Sequence, residues 1–209
     1  MSLTQMLGPT PLLPFAGDSS PLDVGRVEEV GAYLDALRPD ERLAEVRSLK
    51  GAQMARLFAA AEGVHHMSLD DVVPRSVGTL TEVVHEGKNS LPAFSTFAKV
   101  FCRPDDERGE QELWGYNRQP LGIVETTVGP GYFIARVERD GEVLIDYLRQ
   151  PPRKIPGWPP ILPNSSRLSL FVYHNMQDVL RRVSEHVSIG RARRKERWMN
   201  AYFALCRQD

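Results

Sequence analysis

The sequence predicts a mainly β protein of the α+β class, with about eight antiparallel strands forming a barrel or strongly curled sheet and N-terminal helices packed outside it. Two observations support this. Residues 21–74 carry apolar side chains at helical spacing, whereas residues 75–209 carry short β-branched and aromatic runs separated by Gly, Pro, Asn and Asp clusters. Strands and helices do not alternate as a doubly wound fold requires, and no repeat of fixed period occurs. An open sheet of this extent leaves two edges to protect, while closure removes both and can enclose a cavity for one small ligand.

Residues 1–20, with Pro9, Pro11, Pro14, Gly8 and Gly17, read as a flexible arm. In the helical segment 21–74, Leu22, Val27, Val30, Leu34 and Leu37 form one buried stripe. Pro39 and Asp40 restart a helix, since proline suits a first turn and a carboxylate there faces the positive end of the helix dipole. Leu43, Val46, Leu49, Leu57 and Phe58 supply its apolar face. Gly51 divides that stretch into two shorter helices meeting near Ser48–Gly51, and Gly63 is a C-terminal stop.

In the barrel domain, 75–209, the expected strands are Ser95–Cys102, Glu112–Asn117, Ile123–Val128, Tyr132–Glu138, Glu142–Leu148, Leu168–Tyr173, His186–Ala192 and Met199–Cys206. The clearest pair is joined by Arg139-Asp140-Gly141, where Asp-Gly supplies the positive backbone angle of a tight hairpin. Residues 149–166 hold six prolines and form a crossover, because each proline removes a ladder donor. Asn175 or Asp178 then caps a short helix carrying Val179, Leu180 and Val183 before the final hairpin.

Composition excludes several classes of function. With 26 basic and 27 acidic side chains the net charge is -1, which gives no global attraction to nucleic acid or an acidic membrane. No apolar run approaches the roughly 18 residues needed to span a bilayer, and the N-terminus lacks the basic flank of a secretion signal. Cys102 and Cys206 are too few and too far apart for a disulfide framework, so a reducing cytoplasm is the expected compartment. No phosphate loop, dinucleotide fingerprint, metal-ligand spacing or nucleophile elbow is present, and no cofactor is expected.

In the last third, Asp178, Arg181 and Val183 form an Asp-x-x-Arg-x-Val segment, Ile189-Gly190 a glycine-centred strand, and Tyr202, Phe203, Leu205 and Arg207 a closing aromatic strand. This layout resembles the C-terminal ending of the GXWXG family of small bacterial proteins, and is similar to the end of calycin-type, lipocalin-like barrels. The Gly-x-Trp-x-Gly signature itself does not occur in the chain. The resemblance implies a calycin-like barrel with an internal pocket and carries over no catalytic residue.

The aromatic residues of the β region suit a pocket wall with hydroxyl tips, and Trp114, Tyr116, Tyr132, Tyr147, Phe171 and Tyr173 are the expected lining, with Arg136 as polar anchor. Barrel core is the competing reading for each aromatic. An ordinary cross-strand pair is the competing reading for Arg136 and Asp146. His174, near Asn175 and Asp178, is the candidate for acid/base chemistry, with Asp146 and Tyr147 as alternatives. His65, His66, Asp70 and Asp71 carry metal-ligand types without metal spacing and read as a solvated loop, so no metal site is expected. Arg191, Arg193, Arg194, Lys195 and Arg197 read as decoration of the final hairpin turn.

Three functions fit. The first is a binding protein holding an apolar or amphipathic small molecule in the barrel, with a homodimer as a further possibility. The second is a cofactor-independent cyclase or isomerase that gains rate by orienting a hydrophobic substrate and uses one acid or base. The third is an interaction module built on the proline-rich crossover and the basic hairpin, which requires a filled barrel and an exposed apolar patch.

Overall fold

A computed structural model describes residues 23–91, 95–118, 130–138, 141–162 and 175–208. Within them, β1 (Val83–Asn89), β2 (Thr96–Cys102), β3 (Leu113–Arg118), β4 (Tyr132–Val137), β5 (Val143–Asp146), β6 (Met176–Arg182), β7 (Val187–Arg194) and β8 (Arg197–Gln208) follow one another in chain order around a closed antiparallel barrel. β8 returns to pair with β1, Val84 lying opposite Gln208. Six of the expected strands correspond to β2, β3, β4, β5, β7 and β8. The arm 1–20 and the strands expected at 123–128 and 168–173 lie outside the described residues.

Two elements differ from expectation. Met176–Arg182 is β6, not a short capped helix; it fills the place between β5 and β7, and Asp178 lies opposite Ile145 and Ala192 instead of capping a helix. The helical spacing of Val179, Leu180 and Val183 is incidental: Val179 and Leu180 lie on opposite faces of a strand buried on both sides. β1 has no counterpart among the expected strands. Its inward positions are Val83, His85 and Gly87, too mixed to give an apolar alternation.

Alternation divides each strand into inward and outward residues. Val83, Phe97, Phe101, Leu113, Phe133, Ala135, Val143, Ile145, Tyr147, Leu180, Ala192, Phe203 and Leu205 belong to the interior cluster. Close approach of rings to backbone fixes two inward glycines. A Cβ on Gly115 would lie 2.3 Å from the Phe133 ring, and one on Gly190 would lie 2.2 Å from the Phe203 ring. Each glycine sits opposite the phenylalanine that covers it, so a cross-strand aromatic replaces the missing side chain.

Helices α1 (Val27–Ala36), α2 (Pro39–Ser48) and α3 (Gly51–Ala60) bear out the two-helix division at Ser48–Gly51. The Arg38 N–H donates to Glu41 Oε2 at 3.2 Å and the Lys50 N–H to Gln53 Oε1 at 2.8 Å, satisfying first-turn donors of α2 and α3. Val30, Leu34, Val46, Leu49, Met54 and Leu57 pack on Ile189, Ala204 and Cys206, the outward side of β7 and β8. Arg181 locks this layer: its guanidinium stacks 4.0 Å from the Phe58 ring centroid, donates to the Phe58 carbonyl at 2.7 Å and pairs with Glu142 at 2.6 Å. The outward face of β2–β4 is covered instead by the proline-rich segment, through Ile155 and Trp158.

One barrel end is plugged by α4 (Leu69–Val72) and its flanks. Met67, Leu69, Val72 and Val73 join the interior cluster. The plug is tied by the Met67 N–H to the Gly141 carbonyl at 2.6 Å, Arg103 to the Val73 carbonyl at 2.8 Å, and Arg207 to the Asp71 carbonyl at 2.9 Å. Gly141, between β4 and β5, has φ +73, the positive backbone angle expected at that glycine.

Candidate functional site inside the barrel

Above the plug, four polar side chains converge within the interior. Lys99 on β2 is fully enclosed, at 2% exposure. Its ammonium donates to Asn117 Oδ1 on β3 at 3.0 Å, to Asp178 Oδ2 on β6 at 3.0 Å, and to the hydroxyl of Tyr147, one residue beyond β5. The Tyr147 hydroxyl also accepts from Asn117 Nδ2 at 2.9 Å and lies 3.2 Å from Asp178 Oδ2. Three donors on nitrogen thus meet three acceptors, which offsets much of the cost of burying the charge.

The walls around this group are aromatic. The ring centroids of Phe97, Phe133, Tyr147 and Phe203 lie 5.6, 5.2, 5.1 and 5.1 Å from Lys99 Nζ, within the range of cation–π attraction. Burial pushes the Lys99 ammonium below the ordinary lysine range, while the Asp178 carboxylate opposes that shift. Such an arrangement offers a proton donor, a proton acceptor and an amine side by side in a water-poor setting. Closer to the plug, His85 donates to the Val72 carbonyl at 2.9 Å and stacks edge-on against Phe101, which ties it to the plug.

The predicted site residues are distributed differently from expectation. Tyr147 faces inward and belongs to the converging set. Trp114, Tyr116 and Tyr132 do not line the interior; they lie on the outward face and pack with Trp158, the Tyr116 and Trp158 centroids being 4.9 Å apart. Tyr132 donates from its hydroxyl to the Pro159 carbonyl at 2.6 Å, and burial raises its pKa above the ordinary tyrosine range. Trp114 is flanked by Arg108 and Arg153 at 5.4 and 5.2 Å, and its indole N–H reaches Glu112. The reason is register: an aromatic strand apolar on both sides does not reveal which side turns inward.

Arg136 and Asp146 form the cross-strand pair that was the competing reading, at 2.7 Å on the outward face; Asp146 also accepts from the Leu148 N–H. They are therefore neither an interior anchor nor part of the converging set. Phe171, Tyr173 and His174 lie outside the described residues. Among the described residues no group of His, Cys, Asp and Glu could hold a metal ion.

Lys99 and Asn117 were missed by sequence reasoning. A signal did exist. Lys99 stands two residues from both Phe97 and Phe101 on one face of an otherwise apolar strand, a position where a solvated lysine has no place. In comparisons with known proteins, the chain matches no family model, no curated protein and no solved structure. Among the described residues no helix is long and apolar enough to cross a membrane.

Proposed function

We propose that the barrel is a small-molecule binding protein whose interior holds an amphipathic ligand, its apolar body against Phe97, Phe133 and Phe203 and its polar head at Lys99, Tyr147, Asn117 and Asp178. One observation carries this reading: polar side chains from β2, β3, β6 and the residue after β5 meet inside the barrel. Burying such a set costs stability that apolar residues of similar size would not, and convergent polar groups among aromatic walls are the usual makeup of a ligand site. The likeness of the C-terminal third to calycin-type barrels points the same way.

The test combines native mass spectrometry with thermal shifts against lipids, polyenes, polyketides and aromatic metabolites. A ligand at 100 times its Kd stabilises the folded state by about 2.7 kcal/mol. The expected result is a retained or stabilising molecule whose effect is lost in Asp178→Asn. Absence of any hit across the library removes the reading.

The cyclase or isomerase alternative gains from one feature, the Tyr147 hydroxyl between an amine and a carboxylate. Recovery of the bound molecule in altered form favours it; recovery unchanged favours the carrier. Cytoplasmic location and a homodimer remain parts of the proposal. The interaction-module reading has less to draw on, since the proline-rich segment spends Ile155 and Trp158 on the barrel wall.

A further inference from the structure

Resting on that reading of the interior, we infer that the ligand class is a neutral carbonyl compound, an aldehyde or ketone with an apolar body, and that Lys99 captures it as a protonated imine. Charge is the first argument. Lys99 and Asp178 are the paired ions of the site, 3.0 Å apart, and with Asn117 and the neutral Tyr147 the set sums to zero. An anionic or cationic head buried there would lack a counterion and meet a large desolvation cost. A carbonyl brings no charge, and it needs only that Lys99 turn one donor to it from the neutral Asn117 or Tyr147 while keeping the Asp178 pair.

The second argument is reactivity. A desolvated lysine beside a proton acceptor is the arrangement that frees an amine lone pair. Lys99 Nζ passes one proton to Asp178 Oδ2. The nitrogen lone pair then forms a C–N bond with the carbonyl carbon, and the C–O π pair moves to oxygen. A second nitrogen proton transfers to that oxygen, giving a carbinolamine. The proton held by Asp178 is delivered, through the Tyr147 hydroxyl 3.2 Å away, to the departing hydroxyl. Water leaves with the C–O electron pair, and the nitrogen lone pair closes the C=N bond. The balance is one carbonyl and one ammonium giving one iminium and one water, with Asp178 again a carboxylate and nothing oxidised or reduced. The iminium keeps the Asp178 counterion and the surrounding ring faces that held the ammonium.

The experiment uses the full chain with decanal or trans-cinnamaldehyde plus sodium cyanoborohydride, followed by intact mass and peptide mapping. Decanol, which cannot form an imine, is run in parallel by thermal shift. We expect one adduct per chain at Lys99, formed at least about tenfold faster than at Lys50, Lys88, Lys154 or Lys195, since a held carbonyl reacts at a raised effective concentration. Lys99→Arg should lose the adduct, while Lys195→Arg, exposed between β7 and β8, should keep both the decanol shift and the adduct at Lys99. Stabilisation by decanol with adducts only on the other lysines overturns imine capture while leaving the binding reading. Neither a decanol shift nor an adduct at Lys99 overturns both.

Discussion

Asp178 and Arg181 stand three positions apart on β6, so they face opposite sides of the sheet. Asp178 closes the interior pair with Lys99, and Arg181 fastens α3 to the outer wall. Removing one member of a buried pair leaves an uncompensated charge, so Lys99→Met should lower unfolding free energy by about 3 to 5 kcal/mol. Adding Asp178→Leu should restore most of that loss, which urea melts of the double-mutant cycle will measure. The pH dependence has a definite sign. Burial depresses the Lys99 pKa, so in the window between its folded-state value and the ordinary lysine value the unfolded chain holds more protons. Stability contributed by this group therefore rises with pH across that window, and the slope should vanish in the double variant. Equal melts for wild type and Lys99→Met would show that the pair carries no weight. Tyr147 was legible from sequence as an acid/base candidate, but its partners were not, because Lys99, Asn117 and Asp178 meet it only once the sheet curls.

At the scale of elements, local patterns told most where a turn residue fixed them. Asp-Gly announced the β4–β5 hairpin, and Gly51 marked the break between α2 and α3. β6 was misread because apolar residues at three- and four-residue spacing also suit a strand buried on both faces. The β7–β8 turn shows the reverse case, a correct location with unfavourable chemistry. Lys195 and Glu196 adopt φ of 49° and 62°, the left-handed pair of a type I′ turn, which Asn-Gly fills at lower cost. The double substitution Lys195→Asn with Glu196→Gly should stabilise the protein by about 1 kcal/mol. Thermal melts will check it, and an unchanged or lower Tm counts against the assignment of the turn.

For the whole molecule, the sequence disclosed the class and pointed to a barrel, but neither its closure nor the partition of its two faces was legible. The helices cover the outward side of β7 and β8, and a proline-rich strap covers that of β2–β4. That choice depends on register around the full circle, which no single strand encodes. The pairing of β1 with β8 has a kinetic consequence. Bringing Val84 to Gln208 closes a far longer loop than any hairpin, at an added entropic cost of about 2 to 3 kcal/mol. The hairpins should therefore gain protection first and the β1–β8 ladder last, as pulse-labelled hydrogen exchange during refolding will show; simultaneous protection would contradict that order. Since Lys99 and Asp178 sit on β2 and β6, their meeting awaits the same event. The interior chemistry is in this sense a product of the final step of folding, and a chain halted before that step has the residues of the site without the site.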